Sequence, residues 1–179
     1  MIILDVGCQE RESEESVRRL IDRFHPELLL GLDPDPALAE GAELVDGTLI
    51  VRRRACAWID EQPQPVEHDG IRTGIDYRPD RSTELAEAVD VPALLWALPT
   101  GTILKLDCEG AELELLTALH ERGLDERLAL ILVEWHPVDL GSDHGRGLTR
   151  DGIRAFAARL RCPVEEWAWA TEPVLEAAA

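Results

Sequence analysis

Lys105, Asp107 and Glu109 stand at alternate positions in Ile103-Leu104-Lys105-Leu106-Asp107-Cys108-Glu109, an apolar run that breaks at Gly110. Alternation puts all three charges on one side of a strand. Buried charges are costly unless they are paired or put to use. Lys105 is also the only lysine: the other 17 of the 18 basic residues are arginine. An ammonium is a compact charge whose pKa responds to its surroundings, which a guanidinium is not. The segment is either a structural ion pair or part of a site, and clustered titratable groups favour the site. A second group ends the run Leu132-Val133-Glu134-Trp135-His136. Asp107, Glu109, Glu134 and His136 can all move protons. His136, near neutral pH when unperturbed, is the best simple base, although a histidine before Pro137 can equally be a strand-end residue. Oxygen and imidazole donors also suit a divalent metal. The four have no tight ligand spacing, so no metal site is expected.

Strands and helices must bring these groups together. Ile2–Val6 is an apolar run interrupted only by Asp5, as in a buried parallel strand. Ser13, with Glu12, Glu14 and Glu15, opens a helix. Val17, Leu20, Ile21 and Phe24 form its apolar stripe, and Pro26 ends it. Leu28–Leu32 is a second strand, closed by Asp33-Pro34-Asp35-Pro36. Thr48–Val51 is a third, with an extension to Trp58 left open. Residues 60–82, rich in Pro, Gly and Asp, read as a hairpin or an active-site loop with short strands near Val66 and Ile75. Thr83–Val89 and Pro92–Leu98 read as two short helices, the second with proline in its first turn. Thr102–Asp107 is a fourth main strand, Ala111–Arg122 a helix that Gly123 stops, and Leu128–Trp135 a fifth strand. Residues 137–148 form a loop, after which Thr149 caps a helix with the stripe Ile153, Phe156, Ala157 and Leu160. Val164–Ala170 alternates, with Trp167 and Trp169 on one face, and reads as an antiparallel or edge strand that uses both for packing.

Strands alternating with helices predict a single α/β domain over residues 1–179. Its mostly parallel sheet is expected to be doubly wound, with an antiparallel C-terminal strand. Ligands of such sheets bind outside the carboxyl ends of the strands, where the winding reverses. Gly7, Asp33, Asp107–Gly110 and Glu134–His136 all fall at predicted carboxyl ends, so four segments converge on one edge.

The run Lys105-Leu106-Asp107-Cys108-Glu109-Gly110-Ala111-Glu112 resembles the hallmark of the FkbM family of S-adenosylmethionine-dependent methyltransferases, Lys-hydrophobic-Asp-x-Glu-Gly-x-Glu, in type and in order. Leu4-Asp5-Val6-Gly7-Cys8, Gly31-Leu32-Asp33-Pro34-Asp35-Pro36 and Leu132-Val133-Glu134-Trp135-His136 support it in the expected order, so the resemblance spans roughly residues 1–136. It implies a Rossmann-like fold of the class I methyltransferase type. The cofactor half would occupy about 1–80, the catalytic half about 81–170, and a short tail 171–179. It also implies methyl transfer from S-adenosyl-L-methionine to a hydroxyl of a small molecule, a glycan sugar or a natural product. Cofactor contacts would come from Asp5, Gly7, Cys8, Asp33 and Asp107. Catalytic work would fall to Lys105, Asp107, Glu109, Glu134 and His136.

Glycine at position 7 lets backbone approach a ligand closely. An acid after the second strand accepts hydrogen bonds from ribose hydroxyls, and Asp33 lies 26 residues after Gly7. The other reading of Asp33 is an Asp-Pro turn. One feature departs from the family. Where a second glycine usually follows about four residues after the first, this chain has Arg11 among Glu10, Glu12 and Glu14. These charges either pair with the methionine part of the cofactor or narrow its pocket. The second case leaves a non-catalytic fold that binds a ligand or protein partner. The lack of G-x-G-x-x-G weighs against a dinucleotide. Glu112 belongs to the hallmark and, like Glu114, favours the helix dipole; Glu114 is expected on a solvated face.

A net charge of −18 argues against nucleic acid, which needs a surplus of Lys and Arg, and against anionic membrane surfaces. No stretch reaches the roughly 18 apolar residues of a membrane span. No basic segment precedes an apolar run at the start, so no signal peptide is expected and the cytoplasm is the default. Cys8, Cys56, Cys108 and Cys162 are far apart, which suits free buried thiols better than a zinc or disulfide framework. Arg52-Arg53-Arg54 either pairs with surface acids or contacts an anionic substrate. With only 60–82 and 137–148 to cover it, the acceptor site is expected to be small or open, or completed by a second subunit of a homo-oligomer.

Overall fold

The computed structural model describes residues 1–8, 10–68, 73–75, 84–108, 110–136 and 149–167. Its centre is a seven-stranded sheet in the order β12-β11-β10-β1-β2-β4-β3. These strands are β1 (Ile2–Val6), β2 (Leu28–Asp33), β3 (Gly41–Val45), β4 (Thr48–Arg54), β10 (Thr102–Leu106), β11 (Leu128–Val133) and β12 (Val164–Glu166). All neighbours run parallel except β3 against β4. From β1 the chain first builds outward through β2 and β4, then returns to the other side of β1 with β10, β11 and β12. The winding therefore reverses between β1 and β10. A mixed α/β architecture with this strand order is compatible with a doubly wound, Rossmann-like sheet.

The central strands are mostly apolar because both faces are covered, with Asp5 in β1 and Lys105 in β10 as buried charges among them. On one face, helix α1 (Glu10–Phe24) lays Val17, Leu20 and Ile21 against Ile3, Leu29, Ile50, Ile103 and Leu132. Trp167 packs there too, under the Arg19 guanidinium 4.3 Å from its ring centre. The opposite face carries α2 (Val91–Ala97), α3 (Glu112–Glu121) and α4 (Arg150–Ala157). Their Leu95, Leu115, Leu116, Leu119, Ile153 and Phe156 bury Leu4, Val6, Leu104, Leu106, Ile131 and Val133. Local chemistry sets the helix ends. Asp90 caps α2 by accepting the Ala93 N–H, with Pro92 in the first turn. Thr149 caps α4. Gly123, at φ +70°, turns the chain out of α3 so that the Leu124 N–H reaches the Leu119 carbonyl.

Three expectations are corrected. The helix expected over Thr83–Val89 is not formed by its described residues, 84–89: β8 (Glu84–Ala86) pairs antiparallel with β6 (Gln64–His68), and β9 (Ala88–Asp90) pairs parallel with β5 (Cys56–Trp58). Good helix formers there are overruled by two sheet edges offering backbone partners, one bond being Cys56 N–H to the Glu87 carbonyl at 2.8 Å. The C-terminal strand β12 is at the edge but runs parallel to β11. Alternation reports a strand, not its direction, and the crossover through α4 sets the direction. The third strand stops at Arg54, and β5 belongs to a separate small sheet. The hairpin in 60–82 does form between β6 and β7 (Thr73–Ile75), with Val66 opposite Ile75. Strand β3 was not anticipated, although its signal is present. Asp46-Gly47, both at positive φ, makes the two-residue turn that a twisted hairpin prefers. No helix of the described residues is long and apolar enough to cross a membrane.

Candidate functional site

Beyond their last paired residues, β1, β10 and β11 stay zipped together. The Asp107 N–H donates to the Val6 carbonyl at 3.0 Å, and the Glu134 N–H to the Leu106 carbonyl at 2.9 Å. Asp107 and Glu134–His136 are thereby fixed side by side, next to the reversal point of the sheet.

Beneath them lies Lys105, 1% exposed. Register places it directly beside Asp5 on the neighbouring strand, so both point to the α1 face. Its Nζ is 3.1 Å from Asp5 Oδ1 and 3.5 Å from Asp107 Oδ2, and donates to the Gly7 carbonyl at 2.9 Å. Burial alone would lower the lysine pKa, but Asp5 and Asp107 outweigh it and hold the ammonium charged. Burial pushes the Asp5 carboxyl up, and Lys105 offsets this only in part.

Glu112 is buried in the first turn of α3. Its Oε1 accepts the Cys108 and Gly110 N–H groups, each at 3.1 Å, and lies 2.9 Å from His136 Nδ1. Burial raises a carboxyl pKa, yet here His136 and the backbone donors prevail and Glu112 is held below its ordinary value. The carboxylate thus clamps the 108–110 turn and orients His136, whose Nε2 is 3.9 Å from Asp107 Oδ1. Asp107 is shared: Lys105 holds one oxygen, and the other faces His136. Asp107, Glu134 and His136 each offer one donor atom, and the three lie within 4.8 Å of one another.

Of the expected site residues, Lys105, Asp107, Glu134 and His136 are brought together, with Asp5 and Gly7 beneath. Glu109 lies outside the described residues. Glu112, named in the hallmark without a role in the site, is its central acceptor. The signal was its place four residues after Cys108 with a histidine ending the next strand. Glu114 is half-buried rather than on a solvated face.

The residues expected to meet a nucleoside cofactor fit it only in part. Gly7 is at φ +82°, and an added Cβ would sit 1.6 Å from the Asp107 carbonyl oxygen. Its missing side chain thus makes room for the protein's own backbone. The Gly7 N–H bonds the Leu32 carbonyl at 2.9 Å and its carbonyl is held by Lys105, so both groups serve inside the chain. Asp33 does end β2, but it is 1% exposed and its Oδ1 accepts the Asp35 N–H at 2.8 Å. Burial pushes its carboxyl up to about 7. Cys8 is buried, its thiol raised well above the usual range first by burial and then by Asp5 and Asp33. Asp107, with a fifth of its side chain exposed, is the assigned group that opens to the edge. In the basic cluster, Arg52 pairs with Glu43 and Arg53 with Glu87, as the surface-acid reading expects.

No family model, no curated protein and no solved structure matches the chain.

Proposed function

We propose that this chain is an S-adenosylmethionine-dependent methyltransferase acting on a hydroxyl of a small molecule, a glycan sugar or a natural product. The observation that carries the reading is the position of the Lys105–Glu112 segment. Its lysine, aspartate and second glutamate are each committed to a distinct contact, at the reversal point where such sheets bind ligands. When bound, S-adenosylmethionine supplies an electrophilic methyl group. The chain's part is to position the acceptor and take its proton. His136 would take the proton: Nδ1 is held by Glu112, Nε2 is the nitrogen on the Asp107 side, and the Glu112 carboxylate would favour the imidazolium that results. Asp107, fixed by Lys105, orients an acceptor hydroxyl beside it.

A second reading is a non-catalytic relative that binds a ligand or protein partner through the same edge. It is favoured by the enclosure of Asp5, Cys8 and Asp33 and by the internal use of both Gly7 backbone groups. Calorimetric titration with S-adenosylmethionine and S-adenosylhomocysteine separates the two. The first reading expects micromolar binding of both, weakened in Asp33→Asn, which keeps an acceptor for the Asp35 N–H. Absence of binding up to about 1 mM, by a protein that unfolds cooperatively, would leave the second.

A further inference from the structure

We propose that Asp107, Glu134 and His136 form a binding site for a divalent cation at the carboxyl ends of β10 and β11. Sequence spacing hides such a site, since Glu134 lies 27 positions after Asp107. The zipped strand ends bring one donor from each to within 4.8 Å of the others. Donors around an octahedral ion at about 2.1 Å stand roughly 3.0 Å apart when adjacent and about 4.2 Å when opposite. The 3.9 Å between His136 Nε2 and Asp107 Oδ1 falls between these limits, and any pair in the 4.8 Å set wider than about 4.2 Å would have to close by side-chain rotation when an ion binds.

Orientation is the second, independent argument. A histidine that ligates a metal through one nitrogen commonly donates its other N–H to a carboxylate, which fixes the tautomer and the ring plane. Glu112 supplies that carboxylate from outside the three-donor set, buried and itself held by two backbone N–H groups. A proton on Nδ1 leaves the Nε2 lone pair directed toward Asp107. In that tautomer Nε2 and Asp107 Oδ1 would both donate to a cation held between them. Lys105 keeps the far oxygen of Asp107, so the near one stays aimed at the site.

Two carboxylates and one imidazole suit Mn²⁺ or a similar ion that accepts both oxygen and nitrogen. Three protein donors on a half-buried edge leave coordination positions for water or an acceptor oxygen. Cation binding stands without the methyl-transfer reading; only its use rests on it. With the ion bound, His136 is a ligand rather than a base, and an oxygen on a divalent cation ionises more readily.

The test is Mn²⁺ titration of the chelator-treated 179-residue chain, followed by electron paramagnetic resonance and calorimetry in about 0.15 M salt, which screens the weak pull of the acidic surface. No S-adenosylmethionine is added, so the result is independent of the cofactor titration. One saturable site tighter than about 0.1 mM is expected. Asp107→Asn, Glu134→Gln and His136→Gln should each weaken it about ten-fold or more, and Glu112→Gln about 10–100-fold through His136. Glu121→Gln, at the far end of α3, should leave it unchanged. Mn²⁺ should also raise the melting temperature of the parent and not of a variant that has lost the site, which separates lost binding from lost folding. Absence of saturable binding below about 1 mM would overturn the proposal and put a proton between His136 and Asp107 instead. Equal affinity in all the site variants would overturn it in favour of surface acids.

Discussion

Lys105 carries the heaviest physical burden of any residue here. A lysine 1% exposed among leucines is tolerated because Asp5, Asp107 and the Gly7 carbonyl surround its ammonium. Breaking such a buried pair from one side leaves an uncompensated charge, which typically costs about 3–5 kcal/mol. Lys105→Met should therefore lose stability on that scale in denaturant unfolding, and Lys105→Arg should not restore it, because the planar fork does not match three acceptors around one point. Adding Asp5→Leu to Lys105→Met should recover most of the loss, since an apolar pair of similar volume no longer strands a charge. Such a recovery identifies the cost as electrostatic rather than steric. A loss below about 1 kcal/mol in Lys105→Met would mean that the folded protein keeps Asp5 protonated and has little ion pair to lose.

Elements place these side chains, and their packing is tight where β1 and β2 meet. Gly31 lies opposite Asp5, and a Cβ built there would come 2.7 Å from Cys8 Sγ. Gly31→Ala should cost about 1–3 kcal/mol by overpacking. Cys8→Ala removes the obstructing sulfur, so the double variant should be more stable than the sum of the single costs by about 0.5–3 kcal/mol. Strict additivity in thermal or denaturant unfolding would show that the backbone gives way instead. The same strands mark what sequence could reveal. β1, β2, β10 and β11 are largely apolar runs, interrupted by Asp5 in β1 and Lys105 in β10, and such runs are legible because both faces must be buried. The convergence of Gly7, Asp33, Asp107 and His136 at one edge follows from those runs and was legible with them. Strands β8 and β9 were not: Glu84-Leu85-Ala86-Glu87-Ala88 has helix-forming residues, and its strand pairing is dictated by partners some twenty to thirty residues earlier in the chain. Nor could residue types tell that the backbone groups of Gly7 and one oxygen of Asp33 are used internally, because that depends on tertiary neighbours. Glu112 illustrates the same limit, since its role becomes visible only when the end of β11 delivers His136 to it.

At the scale of the whole molecule the dominant quantity is the net charge of −18. Two effects of salt oppose each other. Exposed pairs such as Arg18–Asp46, Arg23–Glu165 and Arg53–Glu87 favour folding, but each contributes only about 0–1 kcal/mol and acts at contact distance. The excess of acids repels over longer distances, which a Debye length falling from about 30 Å at 0.01 M to below 10 Å at 0.15 M removes first. Repulsion should therefore be relieved before the pairs are lost, and stability should rise with salt. A gain of about 1–2 kcal/mol corresponds to roughly 2–8 °C in melting temperature for a chain of this size. Scans in NaCl from about 0.01 to 0.5 M, with chelator throughout so that no divalent cation contributes, check the sign. A melting temperature that falls instead would mean that the surface ion pairs outweigh the repulsion, and that the acidic excess is spread widely enough to cost the folded state little.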